Sequence, residues 1–131
     1  MNKVIIASGP VIVENGKVLL DQHGDTTFWK FCGGRADDLE SGLIEVASKK
    51  VREEMGIEIE LSSAEPFLMY TTKETADGVI DVILVHFLAK RIGEINPGPD
   101  IREWDWLDIN NLPDNLAPNI LPALIHFGFL P

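Results

Sequence analysis

The sequence predicts an α+β fold in which a mixed β-sheet is covered by helices on both faces. Three observations predict it. Asn15-Gly16 sits between two apolar runs, which marks a β-hairpin. Apolar side chains recur at intervals of four from Leu43 to Met55, which marks an amphipathic helix. Apolar or alternating runs then follow, ending in a second helical stretch, and elements mixed in this order pack as layers.

Each element has a local reason. Val4 to Ala7 is a short apolar strand, followed by Ser8-Gly9-Pro10. Val11-Ile12-Val13 and Val18-Leu19-Leu20 form the hairpin arms. Phe28-Trp29-Lys30-Phe31 reads as a short aromatic strand leading into Cys32-Gly33-Gly34-Arg35. The helix has Leu43, Ile44, Ala47, Val51 and Met55 on its apolar stripe, Ser41 as N-cap and Gly56 just past its end. Ile57 to Leu61 alternates strictly, as a half-buried strand does. Phe67 to Thr72 and Val79 to Leu88 are further strands, and the second, nearly all apolar, is expected at the centre of the sheet. Glu103 to Leu107 is a short strand, with Trp104 and Trp106 expected on opposite sides. Pro118 to Phe127 is the last helix, with Pro122 in its first turn and Gly128 ending it.

The 131 residues amount to about one domain, and no repeat or linker divides them, so residues 1–131 are expected to form a single unit. Eleven Lys and Arg against 21 Asp and Glu give a formal net charge of −10. That surface repels a polyanion, so a nucleic-acid duplex is not an expected partner. A small phosphorylated ligand is compatible, because a bound cation reverses the local sign. The one cysteine, Cys32, allows no internal disulfide, which fits a reducing compartment. No apolar stretch approaches the roughly 20 residues of a membrane helix. Cytoplasm is the expected location, with no membrane partner.

The chemistry points to one end of the first helix. With Val51 toward the core, Glu54 lies about 60° round the helix, Lys50 about 100° and Glu53 about 160°, all on the same side. Glu53 and Glu54 occupy the last turn, where the helix dipole disfavours anions. Lys49 and Lys50 precede them in the weaker order for helical ion pairs. Stability alone would reverse both choices, whereas a hard cation such as Mg²⁺ requires clustered carboxylates. Gly33-Gly34 stands just upstream, where glycines let the backbone approach a ligand, and Arg35 is placed to meet a phosphate. A solvated acidic face is the alternative reading of the Glu-Glu pair taken alone.

At these residues the sequence resembles the Nudix hydrolases. Gly34, five residues and Glu40 match the first half of the family signature; Lys49-Lys50-Val51-Arg52-Glu53-Glu54-Met55-Gly56-Ile57 matches the second. Phe28 to Gly34 and Asp100 to Leu112 resemble the flanking segments. The resemblance implies an α/β/α sandwich and hydrolysis of a diphosphate bond. The expected substrate is a nucleoside diphosphate linked to another group, either ADP-ribose-like, a nucleotide sugar or a nucleoside triphosphate. It further implies Mg²⁺ or Mn²⁺ held by Glu53, Glu54 and the Gly33 carbonyl, with Glu54 or Glu53 taking a proton. A late acid, Glu103 or Asp100, would join the metal. Arg35, Gly34 and Trp29 would meet substrate, Glu40 would brace the loop, and a homodimer is compatible with the family.

Two departures stand out. One extra residue separates Glu40 from Lys49, and Lys49-Lys50 replaces Arg-Glu, so Lys50 stands where the family has a metal-binding glutamate. Either the site is completed from elsewhere, or the chain is a nucleotide-binding module with impaired catalysis. The remaining chemistry-bearing residues read as structural: His86 as a hydrogen-bonded core histidine, Cys32 as a small apolar side chain.

Overall fold

The computed structural model describes residues 3–37, 42–63 and 65–131. Among these, the elements run β1 (Val4–Glu14), β2 (Lys17–His23), β3 (Gly34–Arg35), α1 (Leu43–Met55), β4 (Glu58–Leu61), β5 (Phe67–Thr75), β6 (Gly78–Ile92), β7 (Ile101–Asp108) and α2 (Ile120–His126). A 3-10 turn covers Ile109–Asn111.

The apolar run expected at the centre is central. β6 pairs in parallel with β1 along one edge, from Val4 opposite Asp81 to Ile12 opposite Ala89. Along its other edge it pairs antiparallel with β5 and then β4. β1 runs unbroken through Ser8-Gly9-Pro10, because this long ladder holds it extended. Its end turns into β2 through Asn15 (φ 53°) and Gly16 (φ 75°), the two positive angles a two-residue hairpin needs. β7 completes that side by pairing antiparallel with β2.

The two sheet faces carry two cores. Val11, Val18, Leu20 and Phe31 pack with Ile120, Ala123 and Leu124 of α2. Ile12, Leu19, Cys32 and Ile57 pack with Val51 and Met55 of α1. The alternation Val18, Leu19, Leu20 thus sends successive side chains to opposite helices, which is the expected layered sandwich.

Several expectations need correction. Trp104 and Trp106 both pack on the α1 side, since residues two apart in a strand share a face. Phe28 to Phe31 is not a strand; among the described residues only the isolated bridges Asp21–Lys30 and Trp29–Leu116 form there. On α1, Ile44 is exposed and Val46 is buried in its stead. Gly42 precedes the helix, while Ser41 and Glu40 lie outside the described residues.

Candidate active site

The site begins with two backbones in contact. Gly33 has φ 126°, a conformation L side chains rarely adopt, and it packs against Gly9 of β1. A Cβ on Gly33 would lie 2.6 Å from Gly9 Cα and collide with the Ser8 carbonyl. Only glycine permits this approach. The crossing aims the Gly33 amide at α1, where it donates to Glu54 Oε1 at 3.0 Å.

The last turn of α1 is held in place by the chain after β6. Asn96 N–H donates to the Met55 carbonyl at 2.7 Å and Gly98 N–H to the Glu54 carbonyl at 2.8 Å. These amides satisfy carbonyls that a helix end leaves open. They also place donors at the negative end of the dipole, where the two glutamates sit.

Two residues that the sequence reading passed over complete the cluster. Glu54 Oε2 is 3.1 Å from His23 Nε2, and His23 Nδ1 is 3.3 Å from Asp21 Oδ1. Asp21 and His23 are two apart on β2, on the face that carries Leu19 and α1. Asp21 is completely buried, and neither of its oxygens has a hydrogen-bond partner among the described residues. Its contact with His23 is therefore one of charge, outside hydrogen-bond alignment. Lys30 Nζ stands 3.8 Å from Asp21 Oδ1 and donates to the Phe31 carbonyl. The two carboxylates, Asp21 first and Glu54 second, push the His23 pKa up to about 9 against the cost of burial. The ligand atoms of Asp21, His23 and Glu54 all lie within 4.8 Å of one another, a spacing compatible with one cation.

The turn after His23 is firmly tied. Arg102 donates to the Gly24 carbonyl at 2.8 Å, and to Gln22 Oε1 and the Thr26 carbonyl. Thr26 closes back on the His23 carbonyl through its hydroxyl at 2.8 Å.

Of the residues singled out from sequence, Gly33 and Glu54 are brought together, through the Gly33 amide rather than its carbonyl. Glu53 is exposed on the same turn. The Lys50 stem lies over Gly34, 3.3 Å from where a Cβ would be. Arg35 is exposed, 3.5 Å from Asp37. Trp29 packs on the α2 side, and its backbone bonds to Asn115 and Ala117. Glu103 lies opposite Gln22, one position off the Asp21–Trp104 pair, which puts it on the other face of the sheet from His23. Asp100 contributes its carbonyl to Gly24 and is not in the Asp21–His23–Glu54 cluster. An alternating charged residue and histidine directly after Val18-Leu19-Leu20 was the available signal for Asp21 and His23.

A cleft lies against the glycine crossing. It has a volume of about 230 Å³ and is lined by Phe28, Lys30, Gly33, Gly34, His86 and Asn119 among others. Cys32, on its wall, is fully buried, and burial pushes its thiol far above the ordinary range, so it is no nucleophile.

A family model described as the NUDIX domain matches residues 4–127. None of the curated proteins matches the chain. Solved structures are similar over nearly its whole length. A MutT Nudix hydrolase from Burkholderia pseudomallei aligns with TM-score 0.75 at 24% identity, covering 95% of this chain and 98% of that one. The MutT protein from Methanosarcina mazei Go1 gives 0.72 at 20%, covering 96% and 94%. An ADP-ribose pyrophosphatase from Streptococcus suis 89-1591 gives 0.66 at 21%, covering 92% and 87%. At these identities the likeness is one of fold.

Proposed function

Because the chain belongs to the Nudix hydrolase family, we propose that it hydrolyses a diphosphate bond in a nucleoside diphosphate linked to another group, at the end of α1 that carries Glu53 and Glu54. ADP-ribose-like compounds, nucleotide sugars and nucleoside triphosphates are the substrates to test. The observation that carries this reading is Glu54, held by the Gly33 amide on one oxygen and facing His23 with the other. The orphaned Asp21 carboxylate beside them fits a site that accepts a cation.

In this reading Glu54 and Glu53 would hold Mg²⁺ or Mn²⁺, which when bound would supply an activated water and offset charge on the phosphoryl oxygens. The Gly33 amide fixes the Glu54 carboxylate so that little reorganisation is needed during reaction. One of the two carboxylates, Glu54 or Glu53, takes the proton from the attacking water. Arg35 stands exposed after Gly34 and meets a phosphate. The test is phosphate or nucleotide release from a panel of diphosphates, with and without metal. Metal-dependent release that is lost in Glu54→Gln supports the hydrolase.

A second reading is favoured by Lys50, whose stem covers Gly34 where the family has a carboxylate. It holds that the chain binds nucleotide without turnover. Tight nucleotide binding with no release across the panel would establish it.

A further inference from the structure

We propose that His23 Nε2 and Glu54 ligate a divalent cation, with the Asp21 carboxylate beside the second imidazole nitrogen, so that the site takes a first-row transition ion ahead of Mg²⁺. The inference deepens the hydrolase reading and rests on it for the ion's role.

Asp21 carries the argument. A fully buried carboxylate with both oxygens unpartnered is too costly to keep without a cation close by. Lys30 meets this need only in part, because it stands 3.8 Å away and is committed to the Phe31 carbonyl. The nearer cation is the His23 imidazolium, 3.3 Å away, and an ion bound at Nε2 replaces the proton that the ring gives up there. The group that Asp21 faces is the His23 ring, and the far side of that ring faces Glu54. The order carboxylate, imidazole, carboxylate is how metal sites are commonly built, with one carboxylate beside the ring's N–H and the ion on the other nitrogen. Here Asp21 stands 3.3 Å from Nδ1, in charge contact rather than in a formed hydrogen bond.

The distances agree. Neighbouring donors on one ion, with bonds of about 2.1 Å, stand about 3 Å apart. His23 Nε2 and Glu54 Oε2 are 3.1 Å apart. Glu54 is also immobilised through its other oxygen by the Gly33 amide. Lys50 leaves the helix short of the glutamate that its relatives use, and β2 supplies a donor from the opposite wall. That donor is nitrogen, which Mg²⁺ accepts poorly and Mn²⁺, Co²⁺ or Zn²⁺ accept well.

The experiment uses the full chain stripped of metal, titrated with Mg²⁺, Mn²⁺ and Co²⁺ by calorimetry, in wild type, His23→Ala, Asp21→Asn and Glu54→Gln. Wild type should bind Co²⁺ more tightly than Mn²⁺, and Mn²⁺ more tightly than Mg²⁺. Asp21→Asn should weaken Co²⁺ on the order of 10- to 100-fold, and His23→Ala at least as much. In the Co²⁺ form a paramagnetically shifted, exchangeable imidazole N–H resonance should appear in wild type and be missing from His23→Ala. Should Asp21→Asn fail to fold, His23→Ala and this resonance decide alone. Equal Co²⁺ affinity in wild type and His23→Ala overturns the proposal, as does failure of every ion to bind. If Co²⁺ affinity depends on Glu54 but not on His23, the inference falls while the hydrolase reading stands. If binding depends on His23 yet no diphosphate is cleaved with any ion, the site stands and the hydrolase reading falls.

Discussion

Asn119 donates its side-chain amide to His86 Nε2 at 2.7 Å, while His86 Nδ1 lies 3.1 Å from the Gly9 carbonyl. A carbonyl can only accept, so Nδ1 carries the proton and Nε2 is the acceptor. The ring is neutral and fixed in one tautomer. It links α2 through Asn119 to the strand segment that packs on Gly33.

Burial pushes the His86 pKa down to about 4, against a hydrogen bond to Gly9 that acts the other way. The folded protein thus binds fewer protons here than the unfolded chain, whose histidine titrates near 6.5. The contribution is fully present above pH 6.5 or so and is lost as pH falls toward 4, where it levels off. Over that window it amounts to roughly 3 kcal/mol. Urea unfolding at pH 7, 5.5 and 4.5 should show a steeper loss in wild type than in His86→Gln. Parallel losses in the two proteins would refute the assignment.

Gly33→Ala should be among the most damaging single substitutions in the chain. It forces φ 126° on an L side chain and drives a Cβ into Ser8 and Gly9. Strain and overpacking together should destabilise by about 3 kcal/mol or more. Any folded fraction should also lose the amide that holds Glu54, so its kcat should fall with it. Thermal melting and a release assay report the two effects separately.

Met55→Ala tests the other support of the site. Met55 is fully buried among Val51, Ile57 and Ile12, one residue beyond Glu54. Truncation should cost about 2–5 kcal/mol, depending on how far the cavity collapses. Metal affinity should change far less than stability, because the Met55 and Glu54 carbonyls remain capped by Asn96 and Gly98. A parallel loss of both would mean that the packing of this turn sets the carboxylate position.

Part of this site was legible in the sequence, and the reason is local. Helical periodicity places Glu54 relative to Val51 without any knowledge of the rest of the fold, and Gly33-Gly34 announces a close backbone approach. Asp21 and His23 were not legible as a cluster, because their meeting with Glu54 depends on how β2 faces α1 across the sheet. Family resemblance points to Glu103 only by its place late in the chain, and a single step in strand register sends it to the opposite face. Phe28 to Phe31 has strand composition, yet its backbone is used to tie β2 to residues 115–117. The central place of β6 could be read from its unbroken apolar run, while the passage of β1 through Pro10 could not, since it rests on a partner more than 70 residues away.

Lys50→Glu asks whether the site needs the carboxylate that its helix lacks. The Lys50 stem now lies over Gly34, one helical turn before Glu54. A glutamate there adds an oxygen donor on the flank of α1 that carries Glu54 and removes a like-signed competitor for the ion. Mg²⁺ affinity should rise on the order of tenfold, since ligand charge and number set the affinity for hard cations. Diphosphate release at limiting Mg²⁺ should rise with it. The gain should be smaller for Co²⁺, whose binding draws on His23 and gains less from another oxygen. Calorimetry with both ions, alongside a release assay, separates the outcomes. An unchanged Mg²⁺ affinity would show that the ion sits nearer β2 than the flank of α1, with Asp21 and His23 already meeting the need that Lys50 leaves.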